Sequence, residues 1–454
     1  MRISRRRFLK NAAIGMAASP LTSLLWLGSQ RVGLQNVKNK LKVPKFVKAD
    51  GYLMVPAPNV SDLGGGRFSK VWAYTTFPGP SLTARSGDTV SIRLVNKLRE
   101  ETITHWHGVM VDTANDGGPQ EVIERGEHYD YQFPILQRAA MNWYHPHPHM
   151  MTGEQVNLGL AGAFVIRDDE EDALSLPSGK YEIPLLLRDA SFDADGNLKY
   201  VPDDGGFFGD VPLVNGTLSP TMKVDKGMYR LRILNCANAR VFRIGLSNGQ
   251  QMVLIGNDGG LLTQPVGQSQ IVIGPAERLD LLVDFSSLAA GDTVVLKDFS
   301  TGWELLEFSG SGFAGYSYSV PPNLSVIAPL DGPSDPTRVF EFMGHNLING
   351  QSFDMDRIDF SVPFGVVERW QFYAVSAGPH PIHVHGASFQ VVSRVGGRNQ
   401  VFPWERGWKD TVLLNSQETV DVLVRFDNYR GRYLLHCHNL EHEDMGMMSN
   451  FEVV

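Results

Sequence analysis

The stretch Gly87-Asp-Thr-Val-Ser-Ile-Arg-Leu-Val-Asn96 indicates the fold, because two later segments resemble it. They are Gly227-Met-Tyr-Arg-Leu-Arg-Ile-Leu-Asn235 and Gly365-Val-Val-Glu-Arg-Trp-Gln-Phe372, and the three starts are 140 and 138 residues apart. Each segment opens with glycine and continues with the short, β-branched or alternating pattern of a strand. The repeat is far longer than a solenoid unit, so it predicts three consecutive copies of one β-sandwich domain.

A second landmark, Glu-x-x-Asp, keeps the same period. Its three copies are Glu127/Asp130, Glu277/Asp280 and Glu418/Asp421. Further short runs with strand character lie between turn residues, among them Thr89 to Val95, Tyr229 to Leu234, Leu279 to Phe285 and Thr419 to Phe426. Few long helical patterns follow residue 45, so the sequence predicts an all-β chain.

Two linkers divide the predicted copies. The run Asp168-Asp-Glu-Glu-Asp172 is interpreted as a solvated acidic linker, and the proline-rich segment 319–336 as the second linker. We therefore expect domains at about 45–170, 175–325 and 335–454.

Composition excludes several classes of protein. The 454 residues carry 41 Lys+Arg and 49 Asp+Glu, a formal net charge of −8, so nucleic acid is not the expected partner. Two cysteines allow at most one disulfide, which excludes a disulfide framework.

The N-terminal 30 residues predict an export signal. Ser4-Arg-Arg-Arg-Phe-Leu-Lys10 precedes an apolar run that is too short for a spanning helix and contains Pro20. The paired arginines resemble a twin-arginine signal, which predicts a periplasmic or extracellular location with no other membrane association. A basic amphipathic helix and a retained anchor are the alternatives.

The histidines are distributed unevenly along the chain. None of the 13 lies between His149 and His345, whereas the outer copies carry four His-x-His pairs. The pairs are His105/His107, His145/His147, His383/His385 and His436/His438. In a strand, residues i and i+2 project from one face, so each pair offers two metal ligands. Imidazoles without surrounding carboxylates favour Cu, Zn, Fe or Ni.

The segment His436-Cys-His438 favours copper among these metals. Cys437 must point away from its two neighbours, so one tripeptide contacts two metal centres. A thiolate with two imidazoles and a distant thioether is the blue-copper set, and Cys437, His442, Met447 and the detached His380 supply it. The eight paired histidines then form the second centre.

Four further groups of residues lie outside the predicted ligand set. His128, His149 and His345 are expected to be ordinary surface histidines, and Cys236 a buried thiol. Core packing is the preferred explanation for Met343, Met355, Met445 and Met448. The aspartates Asp354, Asp356 and Asp359 could bind an oxidisable metal ion or form a solvated strand face.

These motifs resemble those of the multicopper oxidases, the family of laccase, ascorbate oxidase and bacterial cuprous oxidase, along the whole chain beyond the signal. The resemblance implies three cupredoxin-like Greek-key domains and four copper ions. It assigns His380, Cys437, His442 and Met447 to a type-1 copper, and His105 and His383 to a type-2 copper. It assigns two type-3 coppers to His107, His145 and His438, and to His147, His385 and His436. The trinuclear cluster would lie between the outer domains, with the middle domain as a spacer.

The resemblance also implies a reaction. A donor gives single electrons to the type-1 copper, and the trinuclear cluster reduces O2 to two waters, with Asp116 and Glu443 as acids that relay protons. A turn role for Asp116 and an orienting role for Glu443 are the alternatives.

The sequence does not specify the electron donor. Cuprous oxidases of the family carry a methionine-rich insertion, and the region taken as its counterpart, 308–320, has no methionine. We therefore expect a monomeric laccase-type oxidase of phenols or low-valent metal ions, with a dedicated Cu(I) or Fe(II) oxidase as the alternative. A non-enzymatic periplasmic scaffold, a copper nitrite reductase and a blue electron carrier or copper store are rivals that the complete ligand set disfavours.

Overall fold

The structure, a computed structural model, describes residues 38–375 and 378–454. The export signal predicted for residues 1–30 lies outside the described residues. Within them, the protein is built mostly of β-strands, which confirms the predicted fold class. No helix in these ranges combines the length and apolar character needed to cross a membrane.

The described part of the chain contains thirty-two strands, which follow one another in chain order. The first eleven are β1 Asn39–Lys40, β2 Phe46–Lys48, β3 Tyr52–Met54, β4 Pro56–Asp62, β5 Phe68–Tyr74, β6 Ser81–Arg85, β7 Thr89–Val95, β8 Thr104–His105, β9 His128–Pro134, β10 Ala140–Pro146 and β11 Gly162–Arg167. The next eleven are β12 Glu182–Ala190, β13 Val211–Val214, β14 Pro220–Lys226, β15 Met228–Asn235, β16 Phe242–Leu246, β17 Met252–Asn257, β18 Gly260–Gln268, β19 Gln270–Ile273, β20 Arg278–Asp284, β21 Thr293–Asp298 and β22 Glu304–Ala314. The last ten are β23 Arg338–Met343, β24 Leu347–Ile348, β25 Phe360–Val362, β26 Val367–Ala374, β27 His380–Val384, β28 Phe389–Val395, β29 Thr411–Leu414, β30 Thr419–Arg425, β31 Gly431–Cys437 and β32 Met448–Val453.

In the described ranges, helices are few and short. The α-helices there are α1 Thr113–Asp116, α2 Thr152–Asn157, α3 Asp169–Ala173 and α4 Leu440–Asp444. Single 3-10 turns cover Pro119–Glu121, Gly179–Tyr181 and Pro403–Glu405.

The strands form three sandwiches in chain order. The first has sheets β2-β6-β11-β10-β8 and β3-β7-β9 with the hairpin β4-β5. The middle one has β1-β14-β22-β21-β16-β19 and β13-β12-β15-β20-β17-β18, so the N-terminal strand β1 joins the middle sandwich. The third has β24-β23-β26-β30-β28 and β25-β32-β31-β27-β29. Each sandwich encloses its own apolar core, while the exact domain limits stay predictions.

The repeated segments have a shared structural role. Gly87, Gly227 and Gly365 all have positive φ values, at 90°, 147° and 78°, where a side chain would strain the backbone before β7, β15 and β26. The glutamate of each Glu-x-x-Asp motif accepts a hydrogen bond from the main-chain N–H three residues earlier. The three bonds run from Glu124 to Glu127 (2.9 Å), from Gly274 to Glu277 (2.7 Å) and from Asn415 to Glu418 (2.8 Å).

The aspartate of the motif binds an arginine on the neighbouring strand. The pairs are Arg93–Asp130, Arg230–Asp280 and Arg369–Asp421. Each joins the glycine-led strand to the strand that carries the second landmark, so the two sequence landmarks mark one strand pair in every sandwich.

The interpretation of residues 308–320 was wrong, and that of the acidic run holds only in part, because Asp169, Glu170 and Asp172 are exposed whereas Glu171 is buried. The acidic run before Pro177 contains helix α3, and its Glu171 is buried against Arg230 and Arg232 of β15, because this helix packs onto the middle sandwich. The stretch compared with a methionine-rich insertion begins inside β22, which pairs with β14 and β21 of the middle sandwich. Residues 308–314 form part of that sheet, so their lack of methionine does not bear on the donor.

Candidate metal centre

Strand register brings the histidine pairs together. In the first sandwich, His105 of β8 lies opposite His145 of β10. In the third, His383 of β27 lies opposite His436 of β31, and Ile382 lies opposite Cys437. The predicted alternation holds, because Cys437 points into the third core while its histidine neighbours face the other sandwich.

The eight paired histidines meet between the first and third sandwiches. His105 stacks on His385 with ring centroids 3.9 Å apart, and His107 stacks on His383 at 3.6 Å. All eight are at most 1% exposed. The middle sandwich, which has no histidine, contributes none, as the sequence predicted.

Hydrogen bonds fix the orientation of the predicted type-2 pair. The Nδ1 of His105 contacts the main-chain oxygen of Asp116 at 2.7 Å, and the Nδ1 of His383 contacts that of Asp410 at 2.8 Å. A carbonyl oxygen only accepts, so each Nδ1 carries the proton and each Nε2 keeps a free lone pair. Both rings are thus oriented as metal ligands.

The two predicted type-3 groups are also assembled. One ring nitrogen from each of His147, His385 and His436 lies within 4.8 Å of the others, and the Nε2 atoms of the last two are 3.0 Å apart. The His438 ring lies 4.9 Å from that of His107 and 5.1 Å from that of His145. His105 also groups with His107 and His145, so the division of the eight among three ions stays a prediction.

Several ring nitrogens of the cluster have no hydrogen-bond partner among the described residues. Within the described part of the chain, buried nitrogens without a hydrogen bond occur on His105, His107, His145, His147, His383 and His438. Each such atom costs about 1–3 kcal/mol when it is left unpaired. A bound metal ion removes this cost. A ligand set made of imidazoles, with no carboxylate ligand among them, fits copper.

Most histidines of the cluster are in the neutral form that a metal ion requires. Burial is the largest cause that lowers the pKa of six of its histidines, and it keeps them neutral. The pKa lies well below its ordinary value in His107, His145, His383 and His385, at about 4 in His147 and at about 3 in His438. Neutral imidazole is the form that binds a metal.

The cysteine centre is a separate buried group. The Sγ of Cys437 lies 3.5 Å from the Nδ1 of His380 and 3.7 Å from that of His442. Met447 is fully buried in the same core, and its main chain bonds to Cys437 and His442. Burial raises the pKa of the Cys437 thiol, so a metal ion is needed to hold the thiolate here.

The two predicted acids both contact the cluster. Asp116 ends helix α1 and accepts from the Nδ1 of His385 at 2.8 Å. Glu443 of α4 lies 3.2 Å from the Nδ1 of His436 and 3.5 Å from that of His147. Burial raises the pKa of a carboxylic acid, but neighbouring histidines outweigh it and hold the pKa of both groups below the ordinary value.

Sequence reasoning missed Asp410. Its buried carboxylate accepts from the Nε2 of His107 at 3.0 Å and binds Arg278 of the middle sandwich. The residue sits in Trp408-Lys-Asp-Thr411, where no metal-ligand spacing marks it. The interpretation of the middle domain as a mere spacer was therefore incomplete.

His345 is not an ordinary surface histidine. Its ring stacks on the predicted type-1 ligand His442 with centroids 4.8 Å apart and an angle of 6° between the planes. His128 is more than half exposed, as predicted, whereas His149 is half-buried against Phe353. Cys236 is a buried free thiol, as predicted.

Within the described ranges, Asp354, Asp356 and Asp359 belong to no group of three or more possible metal ligands. Met448 is buried as predicted, but Met445 is 38% exposed, so core packing does not explain it. Asp359 binds Arg357 and accepts from Ser449, while Asp354 accepts from the main chain of Asp356.

Comparisons agree with this geometry. Three family models, each described as multicopper oxidase, match residues 58–171, 187–295 and 320–454. A multicopper oxidase of Staphylococcus aureus is 34% identical over 92% of this chain and 93% of its own length. The McoA multicopper oxidase of Aquifex aeolicus has a similar structure, with a TM-score of 0.86, 34% identity, and coverage of 92% of this chain and 99% of that one. The cell division protein FtsP of Dickeya dadantii is 31% identical over 99% of this chain and 98% of its own length.

Proposed function

Because the chain belongs to the multicopper oxidase family of copper oxidoreductases, we propose that it couples one-electron oxidation of a donor to reduction of O2 to water. The observation that carries the proposal is the pair of buried ligand sets joined by His436-Cys-His438.

The residues would hold about four copper ions, as the donor set favours. His380, Cys437, His442 and Met447 would bind the type-1 ion, and the eight paired histidines the other three. Bound copper would supply one-electron chemistry at the cysteine centre and the four electrons that O2 needs at the histidine cluster.

The chain itself provides a short path between the two centres. Cys437 is covalently flanked by His436 and His438, one backbone step of about 3.8 Å on either side. The thiolate lies in the third core, and both flanking rings lie in the interdomain cluster. Electrons therefore need not cross solvent.

Asp116 and Glu443 are proposed to relay the protons that water formation consumes. Asp116 also lines a cavity of about 180 Å³ with Gln120 and Glu121, which gives its carboxylate a route toward solvent. We expect Asp116→Asn and Glu443→Gln to slow O2 consumption by about ten-fold or more, since a positioned acid contributes at least that much. Reduction of the type-1 centre by the donor, measured without O2, should keep its rate.

The donor is proposed to be a phenol or a low-valent metal ion. This broad class of donors is preferred because Asp354, Asp356 and Asp359 belong to none of the groups of three or more possible metal ligands in the described part of the chain. A dedicated Cu(I) or Fe(II) oxidase would instead show a strong preference when Cu(I), Fe(II) and phenols are compared as donors.

The remaining expectations are proposals with simple tests. A twin-arginine export route predicts that Arg5→Lys with Arg6→Lys retains the chain inside the cell. A monomer predicts elution at about 50 kDa.

The decisive test replaces each cysteine in turn. Cys437→Ser should abolish the blue colour and O2 uptake while the fold remains, because the thiolate ligand is lost. Cys236→Ser is the matched control, since Cys236 is also buried but lies in a separate apolar cluster, where its thiol bonds to the main-chain oxygen of Leu187. Full phenol oxidation by Cys437→Ser would refute the electron path, and a chain without copper would favour a scaffold role.

A further inference from the structure

We propose that Arg278 of the middle sandwich is a positioning residue for the histidine cluster, acting through Asp410. This inference rests on the proposed function, because it supposes that copper binds these histidines. It assigns the middle sandwich a direct part in metal binding.

Asp410 fixes two imidazoles that come from different sandwiches. Its carboxylate accepts from the Nε2 of His107 at 3.0 Å, and its main-chain oxygen accepts from the Nδ1 of His383 at 2.8 Å. The hydroxyl of Thr411 also contacts the Nε2 of His107, at 3.1 Å, and donates to the Asp410 carboxylate at 2.9 Å. These bonds leave the Nδ1 of His107 and the Nε2 of His383 without a partner among the described residues, and free to bind metal.

Arg278 in turn fixes the Asp410 carboxylate. Its Nη1 lies 2.7 Å from Oδ1, and its Nη2 bonds to Oδ2, so the ion pair has the two-pronged geometry that arginine favours. Both side chains are almost fully buried. The carboxylate therefore cannot rotate away from His107 without breaking a buried ion pair.

Every N–H of the guanidinium has an acceptor. Besides the two bonds to Asp410, its nitrogens contact the main-chain oxygens of Met141 (3.0 Å), Ala276 (3.0 Å) and Asp258 (3.2 Å). Met141 belongs to the first sandwich and Asp410 to the third, so one side chain of the middle sandwich joins all three. Lysine has three donors and cannot reproduce this planar set.

The ligand motif packs directly against this ion pair. A Cβ atom placed on Gly108, the residue after His107, would lie 2.6 Å from Oδ2 of Asp410 and 2.7 Å from Nη2 of Arg278. Gly108 also has a φ of 82°. Glycine is thus required for the backbone beside His107 to approach the ion pair this closely.

We expect that loss of the guanidinium weakens copper binding at His107 and His383 and leaves the cysteine centre intact. Loss of a group that hydrogen-bonds to a metal ligand typically lowers metal affinity by about 10- to 100-fold. Arg278 does not contact Cys437, His380 or His442, so the blue colour should persist.

The test compares Arg278→Gln with Arg230→Gln in the full-length chain. Arg230 is the matched control, because it is also a buried arginine of the middle sandwich with carboxylate partners, Asp280 and Glu171, but it touches no histidine. After copper loading we would measure copper per chain, resistance to a chelator, the visible and paramagnetic resonance spectra, and the unfolding temperature of the apo protein.

Arg278→Gln should lose copper from the cluster about 10- to 100-fold more readily and keep its blue band. Arg230→Gln should lower the unfolding temperature and keep the wild-type copper content and spectra. Equal copper loss in both variants, or normal cluster copper in Arg278→Gln, would overturn the inference.

Asp410→Asn provides a second variant if Arg278→Gln does not fold. It keeps the side-chain shape but removes the charge, and the same selective loss of cluster copper is expected. Unchanged copper retention in Asp410→Asn would also overturn the inference. A wild-type chain that binds no copper would contradict the proposed function instead.

Discussion

His345 shows what a single residue outside the motifs adds to the site. Its ring stacks on His442 from a partly exposed position, whereas His442 itself is buried. A donor that approaches the type-1 ligand on this side would meet His345 first. The sequence could not reveal this stacking, because nothing in Met343-Gly-His-Asn346 indicates that His345 lies beside His442.

We therefore expect His345→Ala to weaken oxidation of an aromatic donor by roughly two- to ten-fold in kcat/KM, since an aromatic contact is worth about 0.5–1.5 kcal/mol. The blue band should be unchanged, because His345 is not a ligand. His128→Ala is the control, an exposed histidine of the first sandwich. Identical kcat/KM values for the two variants would exclude this role.

At the scale of elements, the small helices hold the ligand strands in place. Helix α4 carries His442 and Glu443, the predicted type-1 ligand and the proposed proton relay, and it packs against helix α2 of the first sandwich. The carboxylate of Asp444 accepts from the N–H groups of Thr152 and Gly153, at 2.9 and 2.8 Å, where α2 begins. A side chain of the third sandwich thus caps a helix of the first.

Removing this cap should destabilise the interface between the two sandwiches. We expect Asp444→Ala to cost about 0.5–2 kcal/mol, the range measured for helix caps. The unfolding temperature of the apo protein, followed by calorimetry, would show the loss. Asp172→Ala, a mostly exposed residue of helix α3, is the control. No difference between the two variants would mean that the cap does not contribute.

The four strands named from the sequence match the structure to within about one residue at each end, but their partners were not predicted. The predicted run Leu279 to Phe285 is β20, Arg278–Asp284, and the predicted run Thr419 to Phe426 is β30, Thr419–Arg425. Alternation depends on the chain alone and is visible in it. The joining of β1 to the middle sandwich depends on a contact between Asn39 and Pro220, far apart in sequence, and left no local pattern.

At the scale of the whole molecule, buried charges join the sandwiches. Arg167 of the first sandwich and Arg232 of the middle one share Glu171 and Glu182, all largely buried. Burial raises the pKa of Glu182, but Arg232 and Arg167 outweigh it and lower this pKa to about 2. These arginines escaped sequence reasoning, because alternation alone does not distinguish a buried arginine from a solvated one.

This cluster predicts a loss of stability in acid. The folded pKa of Glu182 lies below its ordinary value of 4.5, so its contribution is fully present above pH 4.5 and is lost as pH falls toward 2. The contribution is roughly 3 kcal/mol by linkage. The unfolding temperature of the apo protein should therefore fall steeply between pH 5 and 2.

Glu182→Gln should lower stability at pH 7, because it leaves buried arginine charge uncompensated, and should flatten the acid dependence. Asp169→Asn, at a fully exposed position of helix α3, should retain the wild-type pH profile. A Glu182→Gln profile as steep as that of the wild type would show that other carboxylates cause the acid loss.

Copper content and colour of the purified full-length chain test the central claim most directly, namely that one tripeptide joins a cysteine–copper centre to a histidine-bound copper cluster. After loading with copper, we predict about four ions per chain and an intense blue band. A colourless protein that retains zinc in preference to copper would contradict the claim.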